Sequence, residues 1–417
     1  MYGTLTFSTG ECQGRYKTTF DKDERMADNA QATVLLTTHL IGDVNRSRVL
    51  QAFCDHGPLS RADLARLAGV PRATIGVIVQ GLLDDGLLEE LAPDRDGKVG
   101  KPGRPLWFAR AAALSVAVGF DDQQIRAALV SARGERLAET AVPLATAKAT
   151  PAALLTAVEK AVRTVLPATG QVLGVGVVVP GVCDTVAGEV VGSGQLPGAV
   201  GAGLSTALTR RLGMTVLVDN DARAQALGEK WFGDARGIAT FASVQTGTGL
   251  GVGMVLAGQL YRGDDGRTGE LGHTQVVPDG VACRCGLSGC WETIATLPWL
   301  RAEARSAGLA HPARTTSATL TADGSAAATT LLQRYADNLA VGLANLVNLL
   351  GTRRIVLHGD VVGGGEAMRA RIESATRERV LGYLRDDVQV MLSPLDADAA
   401  LLGAAGIVLS ETFRLAV

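Results

Sequence analysis

Apolar residues recur at helical spacing in three consecutive segments between residues 43 and 86. Ser60 lies three residues before Asp63, as in a capping box, and Gly69 and Gly86 each stand where a helix would end. Two leucines and a loop rich in Gly, Lys, Pro and Arg follow, which is the pattern of a winged helix-turn-helix. The residues predicted to face the core of this module are Val49, Leu50, Phe53, Leu64, Leu67, Ala68, Ile75, Ile78, Val79, Leu82 and Leu83.

From Ala111 onwards, short apolar runs alternate with helical patterns, and this alternation predicts two α/β lobes. A short hairpin opens each lobe, so we expect the two lobes to share one topology. The predicted strands are Ser115–Phe120, Ala127–Ser131, Val172–Val179, Thr215–Asp219, Ala239–Val244, Gly251–Leu256, Arg354–Leu357 and Val388–Leu392. The predicted helices of the lobes are Ala152–Leu166, Leu204–Leu212, Trp299–Ala307 and Leu331–Leu350.

These patterns divide the chain into four parts. Residues 1–40 have little apolar periodicity and are expected to form a mobile N-terminal arm. The winged helix-turn-helix is assigned to residues 41–110, the first lobe to 111–236 and the second lobe to 237–417. We expect the final helix of the second lobe to return to the first.

The charge of the chain is nearly balanced, with 40 Lys and Arg against 42 Asp and Glu. Nucleic acid could therefore bind only at a local basic patch. Such a patch lies in the predicted wing, which has one acidic residue, Asp96, and four basic residues, Arg95, Lys98, Lys101 and Arg104. No apolar run reaches the length of a membrane span, and the N-terminus lacks the apolar stretch of a signal peptide, so a cytoplasmic protein is expected.

Three cysteines, Cys283, Cys285 and Cys290, lie within eight positions, and His273 precedes them by ten residues. In a reducing compartment this spacing indicates metal binding before disulfide formation. Three thiolates and one imidazole complete the tetrahedral shell that Zn²⁺ prefers, and a filled shell leaves no position for an activated water. We therefore predict one structural zinc ion per chain. The alternative is a loop with three unligated thiols.

The segment Cys283–Glu292 has the pattern C-x-C-G-x-x-G-C-x-E and follows Gly269-Glu270-Leu271-Gly272-His273. In these residues the chain resembles the ROK family of repressors and sugar kinases. With the winged helix in front, it is most similar to the family's transcriptional regulators, over about residues 43–417. The resemblance implies an actin-like, two-lobed sugar kinase fold of the ribonuclease-H type, a bound zinc ion and a sugar cleft between the lobes.

Polar residues end one predicted strand at Val218-Asp219-Asn220-Asp221, which is where open α/β sheets bind ligands. Taken alone, the segment favours a strand followed by a helix cap. The resemblance implies more, because Asn220 and Asp221 match the family's N-D-A-N segment, whose Asp is the catalytic base of the kinases. Arg223 replaces the second Asn of that segment. The sugar-binding set implied by the resemblance is Asn220, Asp221, Glu270, His273 and Glu292.

His273 would then serve both zinc and sugar, and the alternative is that it is a purely structural ligand. A further glycine-rich segment, Gly247–Gly253, coincides with the family's phosphate loop and could bring backbone amides to phosphate oxygens. It could equally form a tight hairpin that requires positive φ. The segment by itself therefore does not separate a kinase from a sugar sensor.

Two other nucleotide-side segments depart from the family. The kinases open their first lobe with a segment resembling D-x-G-G-T-K, where this chain has residues 121–126, Asp-Asp-Gln-Gln-Ile-Arg. The adenosine-side glycine run is altered to Leu357-His358-Gly359-Asp360. We therefore expect Gln123, Gln124 and Ile125 to obstruct phosphate binding, so that the protein senses a sugar without phosphorylating it.

The sequence thus predicts a sugar-responsive transcriptional regulator of carbohydrate metabolism genes, and more specifically a repressor. It would act without catalysis, as a homodimer or homotetramer on a roughly palindromic operator, with a sugar or sugar phosphate as effector. Two alternatives are a sugar kinase with an appended DNA-binding domain and a regulator that answers to a protein partner. The residues expected to contact DNA, each of which could instead belong to a solvated face, are Ser60, Arg61, Arg72, Thr74, Gln80, Lys98, Lys101, Gly103 and Arg104.

Overall fold

The computed structural model describes residues 38–92, 104–121 and 123–415. The arm predicted over residues 1–40 and the wing residues Arg95, Lys98, Lys101 and Gly103 therefore lie outside the described residues, apart from the backbone of residues 38–40. Residues 45–417 form one compact unit. The winged helix-turn-helix from Asn45 onwards and both lobes belong to this unit.

Three helices and a two-stranded sheet form the winged helix-turn-helix, as predicted. Ser60 caps the second helix and exchanges hydrogen bonds with Asp63, and Gly69 ends this helix in the left-handed conformation with φ of 64°. The elements are α1 (Thr38–His56), α2 (Arg61–Ala68), α3 (Arg72–Asp84), β1 (Leu88–Glu90) and β2 (Leu106–Phe108), and the two strands pair antiparallel.

The core of this module contains Phe53 and Val79, which are both fully buried, together with most of the other residues predicted for it. The prediction is wrong for Leu67 and Ala68, which are exposed. The helix α2 has only eight residues and buries Leu64 and Ala65 instead, so its apolar face is one turn long.

A five-stranded sheet in the order β5-β4-β3-β6-β9 forms the first lobe. The strands β3, β4 and β5 are antiparallel, whereas β6 and β9 run parallel to β3. The elements are β3 (Leu114–Phe120), β4 (Gln124–Val130), β5 (Arg136–Pro143), α4 (Pro151–Val165), β6 (Val172–Val179), β7 (Val182–Asp184), β8 (Glu189–Gly192), α5 (Leu204–Leu212), β9 (Val216–Asn220) and α6 (Asp221–Phe232).

The second sheet repeats this order and these directions as β12-β11-β10-β13-β14, so the predicted duplicated topology of the two-lobed, ribonuclease-H-like fold is confirmed. The final helix packs on α6 and on the first sheet. The elements are β10 (Phe241–Thr246), β11 (Leu250–Leu256), β12 (Gln259–Leu260), α7 (Leu297–Ser306), α8 (Ser317–Asp323), α9 (Ala326–Leu350), β13 (Arg354–Gly359), α10 (Gly365–Arg379), β14 (Gln389–Leu392) and α11 (Ala399–Phe413). Within the described ranges, every helix is too short or too polar to cross a membrane.

Candidate functional site

Four side chains between β12 and α7 form a cluster that could hold a metal ion: His273, Cys283, Cys285 and Cys290. Their ligand atoms all lie within 4.8 Å of one another. The Sγ atoms of Cys285 and Cys290 are 3.7 Å apart, and Nδ1 of His273 is 3.5 Å from Sγ of Cys283. Two sulfur ligands about 2.3 Å from a tetrahedral zinc ion would be separated by about 3.8 Å, so the spacing fits such an ion.

Backbone turns bring the three cysteines together. The amide of Cys283 donates to the carbonyl of Leu287, and the amide of Gly286 donates to the carbonyl of Cys283, which closes the loop between the first two thiols. Gly289 has φ of 69°, and a Cβ atom there would lie 1.8 Å from the carbonyl oxygen of Val277. Only glycine fits immediately before Cys290, which explains the second glycine of the motif.

A cleft of about 760 Å³ opens beside this cluster and is lined by residues of both lobes. Strand ends of the first sheet supply Asn220 and Asp221, because the carboxyl ends of β6 and β9 meet at one edge. The second lobe supplies Glu270 and His273 from a 3₁₀ turn over Leu271–His273 and its preceding residue, and Glu292 from another over Trp291–Thr293. The structure thus brings together all five residues that the resemblance implies for sugar binding.

Asn220 and Asp221 stand at the N-terminus of α6. Asn220 caps the helix by accepting from the amide of Arg223 at 3.0 Å, and its side-chain amide donates to the carbonyl of Gly181. The cap expected from the sequence alone and the cleft position implied by the resemblance therefore coexist. Burial raises the pKa of Asp221 to about 6, and the negative charge of Glu270 adds to the rise.

Glu292 is 7% exposed and is surrounded by donors. Its carboxylate accepts from both Nε and a terminal nitrogen of Arg284, at 3.2 and 3.1 Å, and lies 3.1 Å from Sγ of Cys283. Arg284 also lines the cleft. Arg284 was not among the predicted site residues, although its place between two metal-ligand candidates indicated that its side chain would lie close to the site.

Arg223, which stands where the family has its second Asn, does not line the cleft. Its guanidinium is buried, donates from Nε to Asp219 at 2.7 Å and donates to the carbonyl of Thr268 at 3.0 Å. The substitution therefore removes one polar group from the sugar side and ties the end of β9 to the loop that carries Glu270.

The structure does not show the expected obstruction of phosphate binding by Gln123, Gln124 and Ile125. Ile125 is fully buried and neither glutamine lines the cleft. The side-chain amide of Gln124 donates to the carboxylate of Asp121 at 3.0 Å. Asp121 lines the cleft instead and accepts from the backbone amides of both glutamines at 2.9 Å. Arg126 also lines it, held at 2.8 Å by Asp398.

Two of the four glycines in the segment Gly247–Gly253, Gly251 and Gly253, are closely packed. None of the four has positive φ, so the tight hairpin with positive φ is excluded. A Cβ atom at Gly253 would lie 2.1 Å from the carbonyl oxygen of Ala222, and one at Gly251 would lie 2.9 Å from Cβ of Ala222. These contacts press β11 of the second lobe against the first turn of α6.

The candidate DNA-binding side chains that the structure describes fall into three groups. Arg61 and Arg104 converge on Glu90 of β1, at 2.7 and 3.3 Å, and these bonds lower the pKa of Glu90. Arg72 and Thr74 are exposed on α3. Ser60 is engaged in its helix cap, and the side chain of Gln80 donates to Asp84.

The sequence model of the ROK family matches residues 114–411, more than two thirds of the chain. The chain belongs to the ROK family. The MarR family model matches residues 43–98 of this ROK protein, over the winged helix-turn-helix.

Relatives of this ROK protein include regulators and kinases. It is 25% identical to the xylose repressor of Bacillus subtilis over 88% of this chain and 95% of that protein. It is 33% identical to the glucokinase of Thermotoga maritima over 56% of this chain and 78% of that protein. A solved ROK family transcriptional regulator, described as a homologue of the Escherichia coli MLC protein, is 26% identical with a TM-score of 0.72, over 90% of this chain and 99% of that one.

Proposed function

We propose that this ROK protein is a sugar-responsive repressor of carbohydrate metabolism genes. It would bind a roughly palindromic operator as a homodimer or homotetramer and answer to a sugar or sugar phosphate in the cleft. The observation that carries the proposal is the convergence of Asp221, Glu270 and His273 on one cleft in a chain that also has a winged helix-turn-helix. A xylose repressor matches along nearly its whole length, which supports the same function.

The cleft offers what the hydroxyl groups of a sugar ring need. Asp221 and Glu270 present carboxylate oxygens as acceptors from opposite lobes, and His273 lies between the cleft and the metal cluster. Hydrogen bonds to charged groups are worth about 1.5–3 kcal/mol each when buried. A sugar held from both sides would favour a more closed arrangement of the lobes.

The metal cluster would hold one zinc ion through His273, Cys283, Cys285 and Cys290. Four protein ligands fill the tetrahedral shell, so the ion would supply structure and no activated water. Its contribution would be to fix the loop that carries Arg284 and to orient His273, whose Nε2 lies 3.9 Å from Glu270.

We infer that the cleft does not support phosphoryl transfer. The segment beside β4 lacks the Gly-Gly-Thr residues that admit and hold phosphates in the kinases, and the nearby cation Arg126 is already paired with Asp398. One observation favours a kinase instead: the raised pKa of Asp221 suits a general base. The two functions differ in whether a sugar causes release of ADP from ATP.

The proposal is tested by selecting the tightest-binding duplex from a random-sequence library with the pure protein. The affinity for that operator fragment is then measured with D-glucose, D-xylose, N-acetylglucosamine and the hexose 6-phosphates. We expect at least one of them to raise the melting temperature and to change operator affinity. A protein that selects no DNA sequence, or whose operator affinity no sugar changes, contradicts the proposal.

Asp221→Asn is expected to weaken sugar binding by about 1–3 kcal/mol, because the amide cannot accept at both positions of the carboxylate. Sugar affinity of the unmodified protein should also fall as pH falls through about 6, where Asp221 becomes protonated. Since Glu270 raises that pKa, Glu270→Gln should move the fall to lower pH. Calorimetry across pH measures both effects, with Asp184→Asn, outside the cleft, as the control.

Glu90→Gln is expected to strengthen DNA binding about two- to fivefold, because it removes a negative charge that holds Arg61 and Arg104 away from phosphates. The slope of log affinity against log salt should steepen as well. Fluorescence anisotropy with the operator fragment measures both. The matched control is Glu159→Gln, which also removes a carboxylate between two arginines, Arg163 and Arg211, but in the first lobe. Weaker binding by Glu90→Gln would mean that Glu90 orients the arginines for DNA.

A further inference from the structure

The winged helix-turn-helix and the first lobe share one hydrophobic core. Phe53, Trp107 and Phe108 of the winged helix-turn-helix belong to the same cluster of buried side chains as Leu227 and Trp231 of α6. The DNA-binding domain is therefore packed on the lobe beside the last turn of α6.

Helix α6 connects that core with the cleft. Its first residues are at the cleft, where Asn220 caps it and Asp221 begins it. Its last turn carries Lys230, Trp231 and Phe232. Twelve residues of α-helix span about 18 Å, so one element extends from the candidate sugar site to the DNA-binding domain.

Close contacts on several sides prevent α6 from bending independently of its neighbours. A Cβ atom at Gly228 would lie 2.0 Å from the carbonyl oxygen of Ala399, and one at Gly403 would lie 1.7 Å from that of Ala224, which places α11 directly against α6. Gly253 of β11 approaches the first turn equally closely. Such packing has little compressibility, so a shift at one end of α6 is transmitted to the other.

The far end of α6 holds the DNA-binding domain by a polar contact. The ammonium of Lys230, a side chain 6% exposed, lies 2.5 Å from the carboxylate of Asp55 near the end of α1. The carbonyl of Trp231 accepts from the guanidinium of Arg236, whose central carbon is 6.0 Å from the Trp107 ring. A buried charge is strongly held to its partner, because separating the two leaves it without solvation.

We propose that α6 couples the cleft to the DNA-binding domain, and that the ion pair between Lys230 and Asp55 is the contact that passes on the movement. The inference rests on the proposed function, since it takes the cleft as the sugar site and the winged helix-turn-helix as the DNA reader. Lys230 and Asp55 contact neither ligand. They are positioning residues that set the orientation of α1 relative to the first lobe.

The test separates coupling from binding. Lys230→Met should keep the sugar affinity and the sugar-free operator affinity, whereas the sugar-induced change in operator affinity, typically about 5- to 150-fold, should fall below about twofold. The pair of changes Lys230→Asp and Asp55→Lys should restore it. The matched control is Glu135→Gln, which breaks the exposed ion pair of Glu135 with Arg110 at the boundary of the same domain. This change keeps the pair of Lys230 with Asp55 and should leave the response intact.

Hydrogen exchange on the unmodified protein gives a second readout that needs no variant to fold. With the sugar that gives the largest thermal shift, amide protection should change both in Asp221–Phe232 and in residues 49–57. Unchanged protection in residues 49–57, or a full sugar response in Lys230→Met, overturns the inference. An equal loss of response in Glu135→Gln also overturns it. A sugar that binds the unmodified protein without changing operator affinity instead contradicts the proposed function.

Discussion

Protein purified without chelators is expected to contain one zinc ion per chain, and Cys290→Ser is expected to contain none. Cys290 is fully buried and its Sγ atom lies 3.7 Å from that of Cys285, so a shorter and harder hydroxyl ligand there would not complete the shell. Structural zinc sites bind with apparent free energies of about 10–16 kcal/mol, and that energy is also folding energy. Elemental analysis and a thermal melt measure both consequences.

The second lobe should lose stability in this variant. Cys290 directly precedes the turn Trp291–Thr293, and the ring of Trp291 is so close to Gly342 of α9 that a Cβ atom there would lie 2.2 Å from it. Without the metal ion the loop would be less fixed, which would disturb the position of Glu292 and the packing of Trp291 on α9. Cys183→Ala, which removes a buried thiol from the first lobe, is the control and should keep its zinc. Unmodified protein that carries no zinc would contradict the prediction.

No sugar-dependent release of ADP is expected from the protein with ATP and any sugar that it binds. A preorganised group that stabilises the transferring phosphate is worth about 100- to 1000-fold in rate, and this chain lacks the Gly-Gly-Thr set that would admit and hold the phosphates. The cation at that end of the cleft, Arg126, is held by Asp398. A coupled assay for ADP, together with calorimetry of a non-hydrolysable ATP analogue, measures turnover and binding.

The control for this assay is Asp221→Asn. A contaminating kinase would give the same ADP release in preparations of both proteins, whereas turnover by this chain would need the Asp221 carboxylate. Sugar-dependent ADP release that disappears in Asp221→Asn, accompanied by micromolar binding of the ATP analogue, would establish the kinase and contradict the sensor.

Local features of the chain were determined by the sequence because they need only neighbouring residues. The capping box of Ser60 and Asp63, the left-handed Gly69 and the crowded cysteines all act over a few positions. The apolar runs of the central strands were equally clear, since strands such as Val172–Val179 are buried on both faces.

Sequence patterns missed elements that have polar residues at the positions where the pattern requires apolar ones. They also missed elements in which no apolar stripe distinguishes a buried face from an exposed one. The edge strand β5 is mostly exposed, and α10 is rich in Arg and Glu that pair along its surface, such as Arg369 with Glu373. Helix α6 was missed for a different reason: ten of its residues are buried, and these include the charged residues Arg223, Glu229 and Lys230. A charged residue inside the protein looks in sequence like a solvated one, so no apolar stripe marks this helix.

Only the tertiary structure supplies the partners that make α6 possible. Asp219 and Thr268 hold Arg223, Ser393 donates to Glu229, and Asp55 pairs with Lys230. These partners are separated from the helix by up to 175 positions in the chain. The same holds for the cleft, where Asp221 and Glu270 face each other from different lobes. Sequence periodicity reports burial along one element, whereas pairing between distant charges is decided by how the sheets and helices pack.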